Sequence, residues 1–207
     1  SACWAFSFGL GSQAVSHWLK DQGMSDTVFG LAHSFYYFGL AVASCLVPTL
    51  TRRLGPVWCT VLGLIWCAAT LAAFPWTGND LAWYLLRFLN GCGGALSVVP
   101  LETIVSRDSA PERKTLNFGC YGVSLTLGGA LGIGTAPQFY PLGHALTFGL
   151  GGAAAAGACL ILLAGLRKAN RTKETSISTP LAWGENVLSY GTAWSQGFLE
   201  GGMLAFL

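Results

Sequence analysis

Long apolar runs separated by short polar breaks dominate the sequence. Seven runs reach the roughly 20 mostly apolar residues that a transmembrane helix needs, at 2–19, 27–51, 57–76, 81–105, 116–137, 144–166 and 182–207. The breaks carry turn chemistry: Asp21, Gln22 and Gly23; Gly55 and Pro56; Thr77, Gly78 and Asn79; Pro141 and Gly143. Apolar runs of this length, without strict alternation, are not barrel strands, and only helices satisfy their own backbone in lipid segment by segment. The pattern predicts an all-α membrane protein, a polytopic bundle of transmembrane helices. Ser1 and Leu207 both interrupt apolar runs, so the chain is expected to be a fragment, with its first and last spans cut.

The longest polar stretch holds Arg167, Lys168, Arg171, Lys173 and Glu174, followed by a Ser/Thr-rich tail up to Pro180. It separates six spans from a seventh and reads as a linker. The expected organisation is a six-helix bundle over 1–166, a linker over 167–181 and the first span of a second bundle over 182–207. Charge gives the orientation. The second loop carries Arg52 and Arg53, the fourth Arg107, Arg113 and Lys114, and the sixth Arg167, Lys168, Arg171 and Lys173. The odd loops hold Lys20 alone, beside Asp21, Asp26 and Asp80; the last of the 11 basic residues is Arg87, inside a span. By the positive-inside rule the even loops and the N-terminus are cytoplasmic, as expected of a multi-pass protein of the plasma (inner) membrane.

Composition narrows the function classes. The 207 residues are 53% hydrophobic and only 10% charged, against about 25% charged in a typical soluble domain. That excludes a disordered chain. A net charge of +2 leaves no basic face for nucleic acid. The seven cysteines are odd in number and all lie in apolar runs, which reads as small buried hydrophobes rather than a disulfide scaffold. Zinc-ligand spacings, a phosphate loop and a Gly-x-Ser-x-Gly elbow are all missing from the sequence, so no metal or cofactor is expected.

Six spans, a basic linker and a seventh span resemble the major facilitator superfamily, in which two six-helix halves are joined by such a linker. Three local features carry the resemblance. The loop between spans 2 and 3 reads Pro48-Thr49-Leu50-Thr51-Arg52-Arg53-Leu54-Gly55. Leu50, Arg53 and Gly55 match the family's Gly-x-Leu-Ala-Asp-Arg-x-Gly signature, whereas Pro48, Thr51, Arg52 and Pro56 depart from it. Span 4 carries Arg87-Phe88-Leu89-Asn90-Gly91, similar to the family's arginine, three residues, glycine pattern in the same helix. Gly119, Gly128 and Gly132 in span 5 have the intervals of a glycine pattern of the family's antiporters, with Ile133 where that pattern has proline. The resemblance implies three-helix repeats in which span 1 is equivalent to span 4; Gly9-Leu10-Gly11 and Gly91-Cys92-Gly93 are compatible with that.

Several residues are candidates for solute or ion contact. Arg87 lies six residues past Leu81, roughly 9 Å along the helix. A charge within a span costs about 2.5–3.5 kcal/mol and usually faces a cavity or a partner. Asn90, Gly91 and Gly94 continue one small, polar face; the bland alternative is snorkelling to the outer interface. Glu200 lies in Gly197-Phe-Leu-Glu-Gly-Gly202, where a carboxylate suits proton coupling because charge is costly at that depth; alternatively that segment is amphipathic and interfacial. Gln13 and His17 are one turn apart in span 1. Tyr36 groups with His33 and Tyr37, as solute contacts or as plain packing. His17, His33 and His144 fall near span ends, which favours interfacial positions. Glu102, near the cytoplasmic end of span 4, is a coupling site or one side of a clasp with Arg53, Arg113 or Lys114, beside the Gly55 turn.

The resemblance implies secondary transport of a small solute by alternating access, two halves rocking about a site near the bilayer midplane. The partners are then the solute, the lipid bilayer and the C-terminal half of the same protein. Protons are a candidate coupling ion, resting on Arg87, Glu102 and Glu200. Efflux of an amphipathic compound and uptake of a metabolite both stay open. A seven-span receptor or channel and an integral membrane enzyme are the alternatives; an enzyme needs acids, histidines or cysteines clustered at one membrane face, and the sequence offers no such cluster.

The charge asymmetry makes a direct prediction. In a cysteine-free full-length protein in intact cells, Arg171→Cys is expected to react with an impermeant thiol reagent only after permeabilisation. Labelling of the intact cells would reverse the topology.

Overall fold

A computed structural model describes residues 1–169, and among them the chain is helical with no strand. Six helices follow in order: α1 (Ala2–Asp21), α2 (Asp26–Leu54), α3 (Pro56–Ala73), α4 (Asp80–Asp108), α5 (Lys114–Phe139) and α6 (His144–Ala169). Short 3-10 turns at Phe74–Trp76 and Tyr140–Leu142 extend α3 and α5, and a third at Pro111–Arg113 leads into α5. These helices coincide with the first six predicted spans to within a few residues. The rest of the predicted linker and the span at 182–207 lie outside the described residues.

Local chemistry sets the boundaries. Gly55, at φ +83°, adopts a conformation that costs glycine little. Its amide closes α2 on the Thr51 carbonyl at 2.9 Å, and its carbonyl accepts the first bond of α3 from Cys59 at 3.2 Å. Pro56 occupies the first turn of α3, where a missing N–H has no consequence. The Asn79 side chain caps α4 by accepting from the Leu81 amide at 3.0 Å.

Five segments, covering α2 to α6, are long and apolar enough to cross a bilayer. Helix α1 has a span's length, 20 residues, but buries Ser7, Ser12 and Gln13. Its position explains that polarity. It packs along α5 and α6, and the Ser7 hydroxyl donates to the Gly151 carbonyl of α6 at 2.6 Å. The outer face of the bundle presents Leu46, Trp58, Ile65, Leu85, Leu131 and Leu160, as a lipid-facing surface must. All seven cysteines are free; Cys59, Cys67 and Cys159 are buried as expected, whereas Cys3, Cys45 and Cys120 are exposed.

Two helix pairs carry the closest packing, α2 with α4 and α1 with α5. At the first crossing Gly91 lies against the backbone of Tyr36 and Leu40, and Gly39 against the Phe88 carbonyl. At the second, Gly9 lies against the backbone of Gly129 and Ile133, and Gly132 against the Phe6 carbonyl. In both, one helix offers a phenylalanine and a glycine three residues on, Phe88 and Gly91 or Phe6 and Gly9. The contacts of the two crossings therefore correspond one to one, with α1 in the role of α4 and α5 in the role of α2. This is the packing expected of a three-helix repeat. The counterparts of Arg87 and Tyr36 in the second crossing are Ala5 and Gly129.

Helices α3 and α6 join the two pairs; α1 and α2 themselves touch little. One end of the bundle is sealed by aromatic rings. Trp18 packs edge-on against His144 at 4.5 Å, Phe74 stacks on Phe148 at 5.1 Å and His17 stacks on Tyr140 at 5.1 Å, while Tyr140 donates to Asp21 at 2.8 Å. At the basic end, Arg107 and Asp108 form the one ion pair among the described residues, at 2.9 Å and exposed, so it contributes little.

The crossings predict a selective glycine sensitivity. Gly91→Val and Gly132→Val are expected to abolish a monodisperse, thermally cooperative full-length protein, because backbone cannot yield to the new methyl groups. Gly119→Val, with nothing within 4 Å of its Cβ position, should melt close to wild type.

Candidate functional site

Arg87 is the centre of the candidate site. It sits on α4 at 2% exposure, the one charged side chain that is buried among the described residues. Its guanidinium carbon lies 5.0 Å from the centroid of the Tyr36 ring, over the ring. A cation–π contact of this desolvated kind contributes about 2 kcal/mol, against an insertion cost of about 2.5–3.5 kcal/mol for the charge. The ring thus offsets the larger share and leaves a remainder. The Arg87 Nε has no hydrogen-bond partner.

The stripe Arg87, Gly91 and Gly94 is filled by Tyr36. The guanidinium covers its ring, Gly91 meets its carbonyl, and a Cβ at Gly94 would come within 2.7 Å of its hydroxyl oxygen. The face that the sequence aimed at an open cavity is therefore packed against an aromatic side chain, and snorkelling does not occur in this structure. Tyr36 also meets Phe8 of α1 at 5.2 Å, and Phe8 stacks on Trp4 at 5.7 Å.

Asn90 points to α3 instead. Its Nδ2 donates to Thr70 Oγ1 at 2.7 Å, and that hydroxyl is shared between the Trp66 and Cys67 carbonyls at 3.0 Å each. A cavity with room for about one water molecule, about 10 Å³, lies among Trp4, Ser7, Phe8, Tyr36, Cys67 and Asn90.

His33 departs from the interfacial position expected of it. It is 3% exposed, seven residues into α2, with its Nε2 at 3.2 Å from Ser12 Oγ and its Nδ1 at 3.3 Å from the Phe29 carbonyl. A carbonyl only accepts, so Nδ1 carries the proton there, and Nε2 of the neutral ring accepts from the Ser12 hydroxyl. Nothing in the sequence signalled this pairing, because Ser12 and His33 meet only through the placement of α1 beside α2.

The other candidates separate. Gln13 is 9% exposed and stands one turn on from Gly9, on the side of α1 that faces α5. Arg53 and Arg113 are exposed and form no ion pair with Glu102, contrary to the expected clasp. Glu102 is exposed and lies near Tyr121 of α5, whose hydroxyl has no hydrogen-bond partner. Gly55 acts as the α2–α3 turn already described. Glu200 lies outside the described residues.

A family model for the Major Facilitator Superfamily matches residues 1–207. The chain belongs to the Major Facilitator Superfamily. It is also similar to an uncharacterized MFS-type transporter, YfkF, of Bacillus subtilis strain 168, with 29% identity over 127 residues. That match takes in 61% of this chain and 32% of the relative, so the chain spans about a third of the length of the curated relative it matches. As a Major Facilitator Superfamily chain with a bundle of bilayer-length apolar helices, it is an integral, multi-pass membrane protein.

The Asn90–Thr70 link yields a measurable expectation. Thr70→Val should destabilise the full-length protein by about 0.6 kcal/mol, the average for interhelical hydrogen bonds in membranes, and by no more than about 1.7 kcal/mol. Thr70→Ser should restore most of it, as read by unfolding in mixed micelles of increasing SDS fraction.

Proposed function

We propose that the full-length protein is a secondary transporter that moves a small solute by alternating access, with Arg87 at the centre of its solute or coupling-ion site. Residues 1–166 act as the N-terminal bundle, 167–181 as the cytoplasmic linker and 182–207 as the first span of the second bundle. The even loops and the N-terminus face the cytoplasm, and the protein resides in the plasma membrane as a carrier rather than an enzyme. The observation that carries the reading is the Arg87 guanidinium, buried within a span with its Nε unpartnered. A side chain that costly is retained in a membrane helix for function rather than for folding. Glu102 and Glu200 are the carboxylates available for proton coupling. Uptake and efflux remain equal alternatives for the direction.

The test is initial-rate transport by the full-length protein, normalised to membrane protein, using a solute found by screening a labelled panel. Arg87→Ala should abolish transport while expression and insertion persist, since removing the charge eases insertion by up to about 3 kcal/mol. Arg87→Lys should rescue part of the rate, because lysine keeps the charge but loses the planar five-donor fork. Wild-type rates in Arg87→Ala would reduce the residue to a packing element and remove the site.

A further inference from the structure

The charge balance around Arg87 identifies the kind of solute. Among the residues whose burial is described, no aspartate or glutamate is buried, and Arg87 is the buried charge. Its neighbour Tyr36 gives it a π face, which is not a counter-charge. The nearby ring of His33 brings no negative charge either. Tyr37 lies near the guanidinium as well, and a guanidinium N–H left without a partner is suited to an oxygen of a carboxylate or sulfonate. The Arg87 Nε is such an unpartnered donor. Beside it Trp4, Phe8 and Tyr36 form a continuous aromatic column.

We infer that the Arg87 site receives the anionic group of an organic solute, a carboxylate or sulfonate carried on an aromatic or apolar body that lies against Trp4, Phe8 and Tyr36. This rests on the transporter reading above. A cationic solute would meet Arg87 with like charge, and a neutral one would bring it no counter-charge. The way in is the seam between α1 and α2. Those helices meet through side chains, the Ser12–His33 hydrogen bond, the Phe8–Tyr36 contact and the apolar cluster of Val15, Leu19 and Ala32, whereas α1 with α5 and α2 with α4 are locked backbone to backbone by glycines. The seam opens without breaking either lock, and the one-water cavity beside Tyr36 and Asn90 widens into the space the solute body needs.

The test uses purified full-length protein and three matched sets of probes: benzoate, phenylacetate and benzenesulfonate; benzamide; and benzylammonium. The anions should raise the melting temperature by a few degrees and the amide and ammonium should not. Arg87→Gln should lose the shift and Arg87→Lys keep part of it; the lysine variant serves alone if the glutamine variant does not fold. A shift with benzylammonium equal to that with benzoate, an anion shift that survives Arg87→Gln, or no shift with any probe would overturn the inference. So would a gain in stability of Arg87→Gln on adding Glu200→Gln, which would assign the counter-charge to the chain itself. Counterflow in proteoliposomes separates the two levels. Anions that bind but are not moved would leave the anion site standing and remove the transporter reading. Solutes moved without regard to their charge would remove the anion site alone.

Discussion

Helices in lipid gain nothing by burying apolar side chains against one another, because the lipid is as apolar as they are. Close backbone approach has to supply the association, and here glycines supply it at two crossings. Gly39 and Gly91 bring α2 and α4 together, and Gly9 and Gly132 do the same for α1 and α5. With the pairs held at that distance, α3 and α6 fill the flanks and the seam between α1 and α2 is left to side chains alone. The division of the bundle into locked pairs and a soft seam follows from where the glycines stand.

Arg87 is tolerated at the edge of one of these crossings because the same glycines leave room for its companion. A β-carbon at Gly94 would crowd the Tyr36 hydroxyl, and one at Gly91 would strike the Tyr36 backbone. Without those two positions the ring would not lie under the guanidinium, and the charge would keep its full desolvation cost. Packing and electrostatics are thus fixed by one stripe of α4.

Much of this was legible in the sequence. The helix ends were, because Gly55-Pro56 and Asn79 act locally on the backbone. So was most of the stripe on α4: helical period puts Arg87, Gly91 and Gly94 on one face, whereas Asn90, read onto that same face, turns to Thr70 of α3. The occupant of the stripe was not, since which helix crosses α4 there is a tertiary fact. His33 was misplaced for the same reason: near the start of an apolar run it reads as interfacial, and only Ser12 on the adjacent α1 gives it a buried partner. Glu102 has basic residues as obvious partners along the chain, whereas the fold leaves it exposed and without an ion pair among the described residues.

The two crossings are copies of one geometry, yet only one carries a charge. Where the first has Arg87 over Tyr36, the second has Ala5 near Gly129, with nothing between them but a methyl group and backbone. A duplicated three-helix unit could keep one copy as a plain structural joint while the other diverged toward chemistry. The two copies then face different physical constraints. At Ala5, which is buried, the limit is volume, while a β-carbon at Gly129 would reach only ordinary contact with the Ala5 carbonyl, at 3.9 Å. Drift at Arg87 and Tyr36 is limited by charge and ring geometry. A pair of homologous positions within one chain thus gives an internal control for telling a constraint on shape from a constraint on electrostatics.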